Sequence, residues 1–201
     1  KTQYTFREVS CGVQFLGFAD ERSLTHAELF AEYVNEHLKR YCLLVEKGIR
    51  QTDNGSEYIG SWSAKEPSAY TLMIESAKLI HGTIPPGAHR FQSDVETVHN
   101  LIEVEFYEIE KFTDRTDFME KAHTYQLFFN LERPNTYKEN KSPWQLARDK
   151  RPDIPKEALM LPPVDLDALL NKKLAHLAIG GYDVSSTPFR QVKDSKNRDS
   201  W

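Results

Sequence analysis

The sequence predicts a mixed α/β domain in which helices pack on a β-sheet. Two segments near its start, 3–9 and 13–19, are rich in β-branched and aromatic residues, and the Ser-Cys-Gly tripeptide between them is typical of a hairpin turn. From residue 25 onward, apolar residues recur at helical spacing, and further helical segments alternate with short apolar runs. Such an alternation of strands and helices indicates a sheet covered by helices.

Length and composition narrow the class of protein. A chain of 201 residues, 39% of them hydrophobic, is long enough for one globular domain with a full core. No apolar run approaches the roughly 20 residues of a membrane span, so we expect no membrane partner. With Cys11 and Cys42 as the only cysteines, a disulfide framework and a cysteine-based zinc finger within the chain are excluded, and a reducing, cytoplasmic compartment is expected.

The first helix and the strand after it follow from local patterns. Thr25 and Glu28 have the spacing of a capping box, which predicts a helix from there to about Arg40. Its apolar face is formed by Leu29, Phe30, Tyr33, Val34, His37 and Leu38. Residues 43–45 form a short apolar run whose state the pattern leaves open, and 49–52 is predicted as a strand that ends at Asp53.

The middle of the chain alternates again. Residues 61–70 mix polar, aromatic and proline residues without periodicity and are predicted as an irregular insertion, followed by a helix over 70–79 and a strand over 80–84. Pro85-Pro86-Gly87 then predicts a loop, because proline cannot donate to a strand ladder. Ser93 with Glu96 again has capping-box spacing and predicts a helix that continues to about Lys111.

Three further helices are predicted beyond Lys111. One carries Phe118, Ala122, Tyr125 and Phe129 at helical spacing, and another begins at Ser142-Pro143, with Ser as N-cap and Pro in the first turn. Prolines at 152, 155, 162 and 163 indicate a linker. Residues 165–175 are predicted as a short helix, and residues 180–201 as a polar tail. We therefore expect a core domain over 1–151 and an appendage over 152–201.

Two carboxylates are candidates for a metal site. Asp53 follows a strand, and the Asn-Gly step after it turns the chain away, while Glu96 lies at a helix start. If they converge, they offer the hard oxygen ligands that Mg²⁺ prefers. Each also has a structural alternative: Asp53 can form an Asx turn with the next two residues, and Glu96 can complete the capping box of Ser93. Glu57, His99 and Glu103 are possible neighbours of the site.

Three motifs in order resemble one family. Thr52-Asp53-Asn54-Gly55-Ser56-Glu57 resembles the second-acid motif of the Asp-Asp-Glu integrases and insertion-sequence transposases, and Asp94-Val95-Glu96-Thr97-Val98-His99-Asn100-Leu101-Ile102 resembles their third-acid helix. Phe129-Asn130-Leu131-Glu132-Arg133-Pro134-Asn135, with Lys141-Ser142-Pro143 after it, resembles the segment downstream of that helix. The resemblance extends over about residues 3–151.

The resemblance implies a fold and an activity. The fold would be a ribonuclease-H-like mixed sheet flanked by helices, and the activity metal-dependent DNA strand cleavage and strand transfer in transposition or integration. Asp53 and Glu96 would be catalytic residues and ligands of Mg²⁺ or Mn²⁺. The partners would be DNA and further copies of the chain, with no small-molecule cofactor. The enzyme would act on DNA in a bacterial-type cytoplasm. Residues 131–156 carry seven basic against four acidic residues, and the candidates there for phosphate contacts are Arg133, Lys138, Lys141, Arg148 and Lys150.

Two departures from the family pattern affect this interpretation. Asp53 and Glu96 are 43 positions apart, which is wider than the commonest family spacing, and the insertion over 61–70 accounts for the excess. The family's first acid lies on a strand before the hairpin, so we expect that strand and its acid ahead of Lys1; Asp20, after the second hairpin strand, is the weaker substitute. A non-catalytic DNA-binding or self-association remnant, and a ribonuclease-H-like nuclease, stay open as alternatives.

Overall fold

The computed structural model describes residues 2–53, 55–60, 66–84 and 93–179, apart from the side chains of 93–95 and 179. Within these ranges the chain forms a mixed α/β fold, which confirms the predicted class. Predictions for Asn54, for the first part of the insertion (61–65), for the Pro-Pro-Gly loop and for the tail over 180–201 lie outside the described residues.

The predicted hairpin is confirmed and forms two of the three strands of the larger sheet, with β2 at its centre. Strand β1 (Thr2–Arg7) pairs antiparallel with β2 (Gln14–Ala19), with Tyr4 opposite Gly17. The turn needs Gly12, whose φ of +85° lies in the region that side chains disfavour. All six residues of β2 are buried, so this strand is covered on both faces.

A helix and a smaller sheet follow the hairpin. Helix α1 spans Leu24–Arg40, and its cap is Ser23, whose hydroxyl oxygen accepts from the His26 N–H. The predicted cap at Thr25 is therefore wrong, because Ser23 has the extended backbone of an N-cap two residues earlier. Strand β3 (Ile49–Thr52) then pairs in parallel with β4 (Ile80–Thr83), as an α/β crossover allows.

Short helices connect β3 and β4. Helix α2 spans Ser56–Ile59 and α3 spans Ala69–Ser76. The predicted helix over 70–79 is confirmed at its start but is three residues shorter, because Lys78 takes a positive φ of 60° that ends the helix before β4. Tyr70 and Ile74 form the buried face of α3, which packs on the core.

The helix predicted over 93–111 is interrupted. Helix α4 spans Ser93–Ile102, a π-helical turn follows over Glu103–Tyr107, and the chain then leaves the helix, so the predicted end at Lys111 is wrong. The extra residue of a π turn re-aims the side chains that follow it. Here Phe106 is buried and stacks on Tyr125 with ring centroids 5.2 Å apart.

From Arg115 onward, the structure confirms three predicted helices and adds a strand. Helix α5 spans Arg115–Leu131, α6 spans Pro143–Lys150 with the capping box of Ser142 and Gln145, and α7 spans Leu166–Ile179. Strand β5 (Val164–Asp165) pairs in parallel with β2 at Gly17 and Phe18. The predicted domain boundary between residues 151 and 152 stays a prediction. After it, the described residues pack on the same core as the hairpin, through Ala158, Leu159, Leu161 and Leu166.

Two apolar clusters form the core. One lies between the hairpin, α1, α3 and the segment after α6, and includes Phe15, Phe30 and Ile74; the other lies against α4 and α5 and includes Leu16, Phe18 and Phe106. Alternate residues of β2 enter each cluster, which is the pattern of a strand buried on both faces. In the part of the chain described, no helix is long and apolar enough to cross a membrane.

Candidate functional site

The end of β3 presents Asp53 to solvent at the point where the chain turns. The backbone N–H of Gly55 donates to Asp53 Oδ1 at 2.9 Å, so the Asx-type contact that was the structural alternative is present. Thr52, directly before it, is buried. The carboxylate is therefore exposed, while the backbone that carries it is anchored.

A hydrogen-bonded histidine provides that anchor. Thr52 Oγ1 lies 2.8 Å from His81 Nε2, and His81 Nδ1 lies 2.8 Å from Thr71 Oγ1. Burial lowers the pKa of His81, with Glu75 acting weakly against it, so the ring is neutral at neutral pH and one nitrogen donates while the other accepts. The sequence did not indicate roles for His81 and Thr71. His81 lies on β4, Thr71 on α3 and Thr52 at the end of β3, and no local spacing predicts that these elements meet.

Glu96 lies on the exposed side of α4, next to His99. His99 Nε2 is 3.1 Å from Thr5 Oγ1, which ties α4 to the middle of β1. Partial desolvation lowers the pKa of His99, and the nearby Glu96 carboxylate opposes that shift. The predicted capping contact with Ser93 cannot be placed among the side chains that the structure describes.

Asp53 and Glu96 line one groove between β1 and β3. The groove has a volume of about 980 Å³, and Glu57 and His99 line it as well. Glu103, the third possible neighbour, is not among its lining residues and lies exposed in the π turn. Over the described ranges, no three His, Cys, Asp or Glu side chains approach closely enough to hold a metal ion by themselves.

Glu57 is a buried carboxylate at the edge of this groove, with 7% of its surface exposed. Its Oε1 lies 3.4 Å from Arg22 Nη1. It also sits directly against Gly55, where a Cβ atom would come within 2.5 Å of Glu57 Oε2. The Gly-Ser-Glu sequence after Asp53 thus lets a second carboxylate fold back against the turn.

Three of the five predicted DNA contacts have partners within the chain. Arg133 donates through Nη2 and Nε to Glu105 Oε1 at 2.5 and 2.9 Å. Lys138 Nζ donates to the carbonyls of Val9 and Ser10. Lys141 Nζ lies 2.8 Å from Glu139 and 2.9 Å from Asp149.

The other two predicted contacts lie on α6. Arg148 is exposed, and its guanidinium carbon is 5.7 Å from the Trp144 ring centroid. Lys150 is exposed as well and lines the groove near Glu8, at the end away from Asp53. Burial opposes the lowered pKa of Glu8, which results from hydrogen bonds with Ser10 and Cys11 and, to a smaller extent, from the charge of Lys150. Of the five, Arg148 and Lys150 are thus the most available to an external phosphate.

Two buried amides explain part of the downstream motif. Asn130 Oδ1 accepts from the Gln14 N–H at 2.9 Å, and its Nδ2 donates to the carbonyls of Gln14 and Leu159 at 2.8 and 3.0 Å. One turn earlier, Gln126 accepts from the Leu16 N–H at 2.8 Å and donates to the Leu161 carbonyl. These amides bridge β2 and the segment before β5, so Asn130 has a structural role there.

The fold has relatives among solved structures, although no family model and no curated protein match the sequence. Eighteen chains from solved structures match. One belongs to the cryo-EM structure of the simian T-cell lymphotropic virus intasome in complex with PP2A regulatory subunit B56 gamma, with a TM-score of 0.51 and 17% sequence identity. The match covers 76% of this chain and 50% of that one, so this chain spans about half its length. At this identity the likeness shows a similar fold.

Proposed function

We propose that the chain is the catalytic core of a DNA transposition or integration enzyme that cleaves DNA strands and transfers them. The observation that carries the proposal is the position of Asp53 and Glu96, which come from different elements and line one groove. The fold likeness to an intasome chain supports the same class of activity. DNA and a second copy of the chain are the partners that this function implies.

The carboxylates of the groove fit a divalent cation. Magnesium is bound in proteins through one or two carboxylates, together with waters and substrate phosphate oxygens. Asp53 and Glu96 would hold Mg²⁺ or Mn²⁺. In a two-metal arrangement, one such ion would activate the attacking oxygen and the other would stabilise the leaving oxygen of the phosphodiester.

The residues around these carboxylates prepare the groove for a cation. The Thr52–His81 contact fixes the end of β3 and so the direction of Asp53. The lowered pKa of His99 keeps its ring neutral at neutral pH, so it adds no positive charge beside Glu96. Glu57 adds a buried carboxylate at the same edge, where Arg22 Nη1 lies 3.4 Å from its Oε1.

The third carboxylate of the proposed site would come from a strand ahead of β1, as the resemblance implies. For DNA, Arg148 and Lys150 are the proposed phosphate contacts, because among the described residues neither has an ion-pair partner of the kind that Arg133 and Lys141 have. Each phosphate contact to a Lys or Arg contributes to affinity and to its salt dependence.

A non-catalytic DNA-binding or self-association role is the second candidate. It is favoured by the hydrogen bond from Gly55 to Asp53, which gives that carboxylate a purely structural use. The two candidates differ in metal binding: a structural Asp53 needs no cation, whereas a catalytic one binds it together with Glu96.

Isothermal titration calorimetry with Mn²⁺ tests the proposal. We expect saturable binding that falls at least about tenfold in Asp53→Asn and in Glu96→Gln. Glu120→Gln, an exposed acid on α5, is the matched control and should leave the affinity unchanged. If both site variants bind Mn²⁺ as the parent chain does, the metal site is wrong.

Strand cleavage of a DNA oligonucleotide in Mg²⁺ is the second readout. Cleavage that persists in Asp53→Asn or Glu96→Gln would contradict their catalytic roles. In the same samples, Arg148→Met and Lys150→Met should lower DNA affinity and the steepness of its dependence on salt.

A further inference from the structure

The turn that carries Asp53 lies between two anchored neighbours. Thr52, directly before it, is the buried last residue of β3, and its Oγ1 lies 2.8 Å from His81 Nε2 on β4. Tyr58, after the turn, belongs to the short helix α2, and its backbone carbonyl accepts a hydrogen bond from the Ser68 hydroxyl. Both flanks of the turn are therefore tied to residues further along the chain.

The two anchors are the ends of one continuous hydrogen-bonded chain of side chains. His81 Nδ1 lies 2.8 Å from Thr71 Oγ1 on α3, and Thr71 Oγ1 lies 3.0 Å from the Oγ of Ser68, the N-cap of α3. We call this chain the relay; its members, in order, are Thr52, His81, Thr71, Ser68 and the carbonyl of Tyr58. The relay joins four elements around the turn: β3, β4, α3 and α2.

The hydrogen bonds of the relay have only one consistent direction. A carbonyl oxygen can only accept, so the single hydroxyl proton of Ser68 is donated to Tyr58. Ser68 Oγ then accepts twice, from the Thr71 N–H at 3.1 Å and from the Thr71 hydroxyl. Because its own proton is donated to Ser68, Thr71 Oγ1 can only accept from His81 Nδ1.

His81 passes this direction on to Thr52. Burial lowers the pKa of His81, and the charge of Glu75 opposes that shift more weakly, so the ring carries one proton at neutral pH. That proton lies on Nδ1, which leaves Nε2 to accept from the Thr52 hydroxyl. An edge-to-face contact with Tyr70, with ring centroids 5.1 Å apart, holds the plane of the imidazole.

We propose that the relay positions the Asp53 turn, and that His81 acts in it as the Nδ1–H tautomer, a positioning residue that works through Thr52. With the proton on Nε2 instead, the lone pairs of His81 Nδ1 and Thr71 Oγ1 would face each other at 2.8 Å without a proton between them. The relay is a property of the fold, while its use in metal binding rests on the function proposed above.

Nitrogen-15 NMR of the imidazole rings, recorded in EDTA, tests the direction of the relay. We expect His81 to show a protonated Nδ1 and an unprotonated Nε2. Thr71→Val removes the acceptor of the Nδ1 proton, so in this variant the proton should move to Nε2 and be donated to Thr52. Thr71→Ser keeps the hydroxyl and should keep the parent tautomer. The matched control is Thr124→Val, at an exposed residue of α5, which should leave both nitrogen signals unchanged.

Two further measurements on the same variants test the positioning. In EDTA, the amides of Ile84 and Ile59, which donate to the carbonyls of Thr52 and Gly55, should exchange about three- to tenfold faster in Thr71→Val. In calorimetry, Mn²⁺ binding should weaken about three- to tenfold in Thr71→Val, the effect of losing one hydrogen bond. Thr71→Ser and Thr124→Val should match the parent chain in both measurements.

Each outcome decides the proposal. A proton that moves from Nδ1 to Nε2 in Thr71→Val, with faster exchange on both sides of the turn, supports it. A parent His81 protonated on Nε2 overturns it, and this result needs no variant to fold. An unchanged tautomer or unchanged exchange in Thr71→Val also overturns it, as does a parental Mn²⁺ affinity in that variant. If the parent chain binds no Mn²⁺ while the NMR and exchange results are as expected, the metal site is wrong and the relay is supported.

Discussion

Asn130→Ala should destabilise the fold more than any exposed substitution, although Asn130 is not among the residues that line the groove. Asn130 is fully buried and makes three hydrogen bonds to backbone groups of Gln14 and Leu159. Its removal leaves three buried groups without that partner, at about 1 kcal/mol or more each. The better helix propensity of Ala offsets about 0.5 kcal/mol, so the free energy of unfolding should fall by about 2.5 kcal/mol or more.

Urea denaturation followed by far-UV circular dichroism measures this loss, with an unchanged m-value as the sign that only stability has changed. The matched control is Asn171→Ala in α7, an exposed residue at which the same helix propensity is gained. We expect that control to stay within about 0.5 kcal/mol of the parent. A loss below about 1 kcal/mol in Asn130→Ala would refute the bridging role of this amide.

Three further predictions concern packing and charge. Arg133→Met should lower the free energy of unfolding by about 1–2 kcal/mol in thermal denaturation, because it leaves the half-buried Glu105 without its guanidinium partner. The control Arg148→Met, at an exposed residue, should lower it by under about 0.5 kcal/mol, and equal losses would contradict the ion pair. Gly17→Ala should lower the free energy of unfolding by about 1–3 kcal/mol, because the added Cβ would lie 2.7 Å from Phe30 Cδ2. The loss should be smaller for Gly82→Ala, whose added Cβ would lie 3.3 Å from Ile49 Cγ2. Burial lowers the pKa of His37 and of His81 in the folded state. Stability should therefore be complete above about pH 6.5, the unfolded value, and decline below it as the unfolded chain takes up protons first; a flat profile from pH 7.5 to 5.5 would contradict both shifts.

Local patterns were enough to predict most elements. The hairpin, α5 and the capping box of Ser142 depend on residues within a few positions of each other, so the sequence shows them directly. The errors arose where a distant or competing group decides. Ser23 competes with Thr25 for the cap of α1, and the π turn after α4 contains Phe106, which packs on Tyr125, 19 residues further along.

The groove shows the same division. The sequence indicated Asp53 and Glu96 through short motifs, and their position on one groove depends on how β3 and α4 pack on β1. Arg133 illustrates the opposite case: its charge suggested DNA, but Glu105, 28 residues earlier, accepts its hydrogen bonds. His81 and Thr71 carry no motif, so only the structure shows that they anchor the end of β3.

Iron-directed cleavage of the polypeptide tests most directly whether one cation lies between Asp53 and Glu96. Fe²⁺ bound in place of Mg²⁺, with ascorbate and peroxide, generates hydroxyl radicals that cut the backbone close to the ion. We predict cuts near residue 53 and near residue 96 in the same sample, both suppressed by excess Mn²⁺ and both lost in Asp53→Asn. Cutting at one segment alone, or cuts that persist in that variant, would contradict a shared metal site.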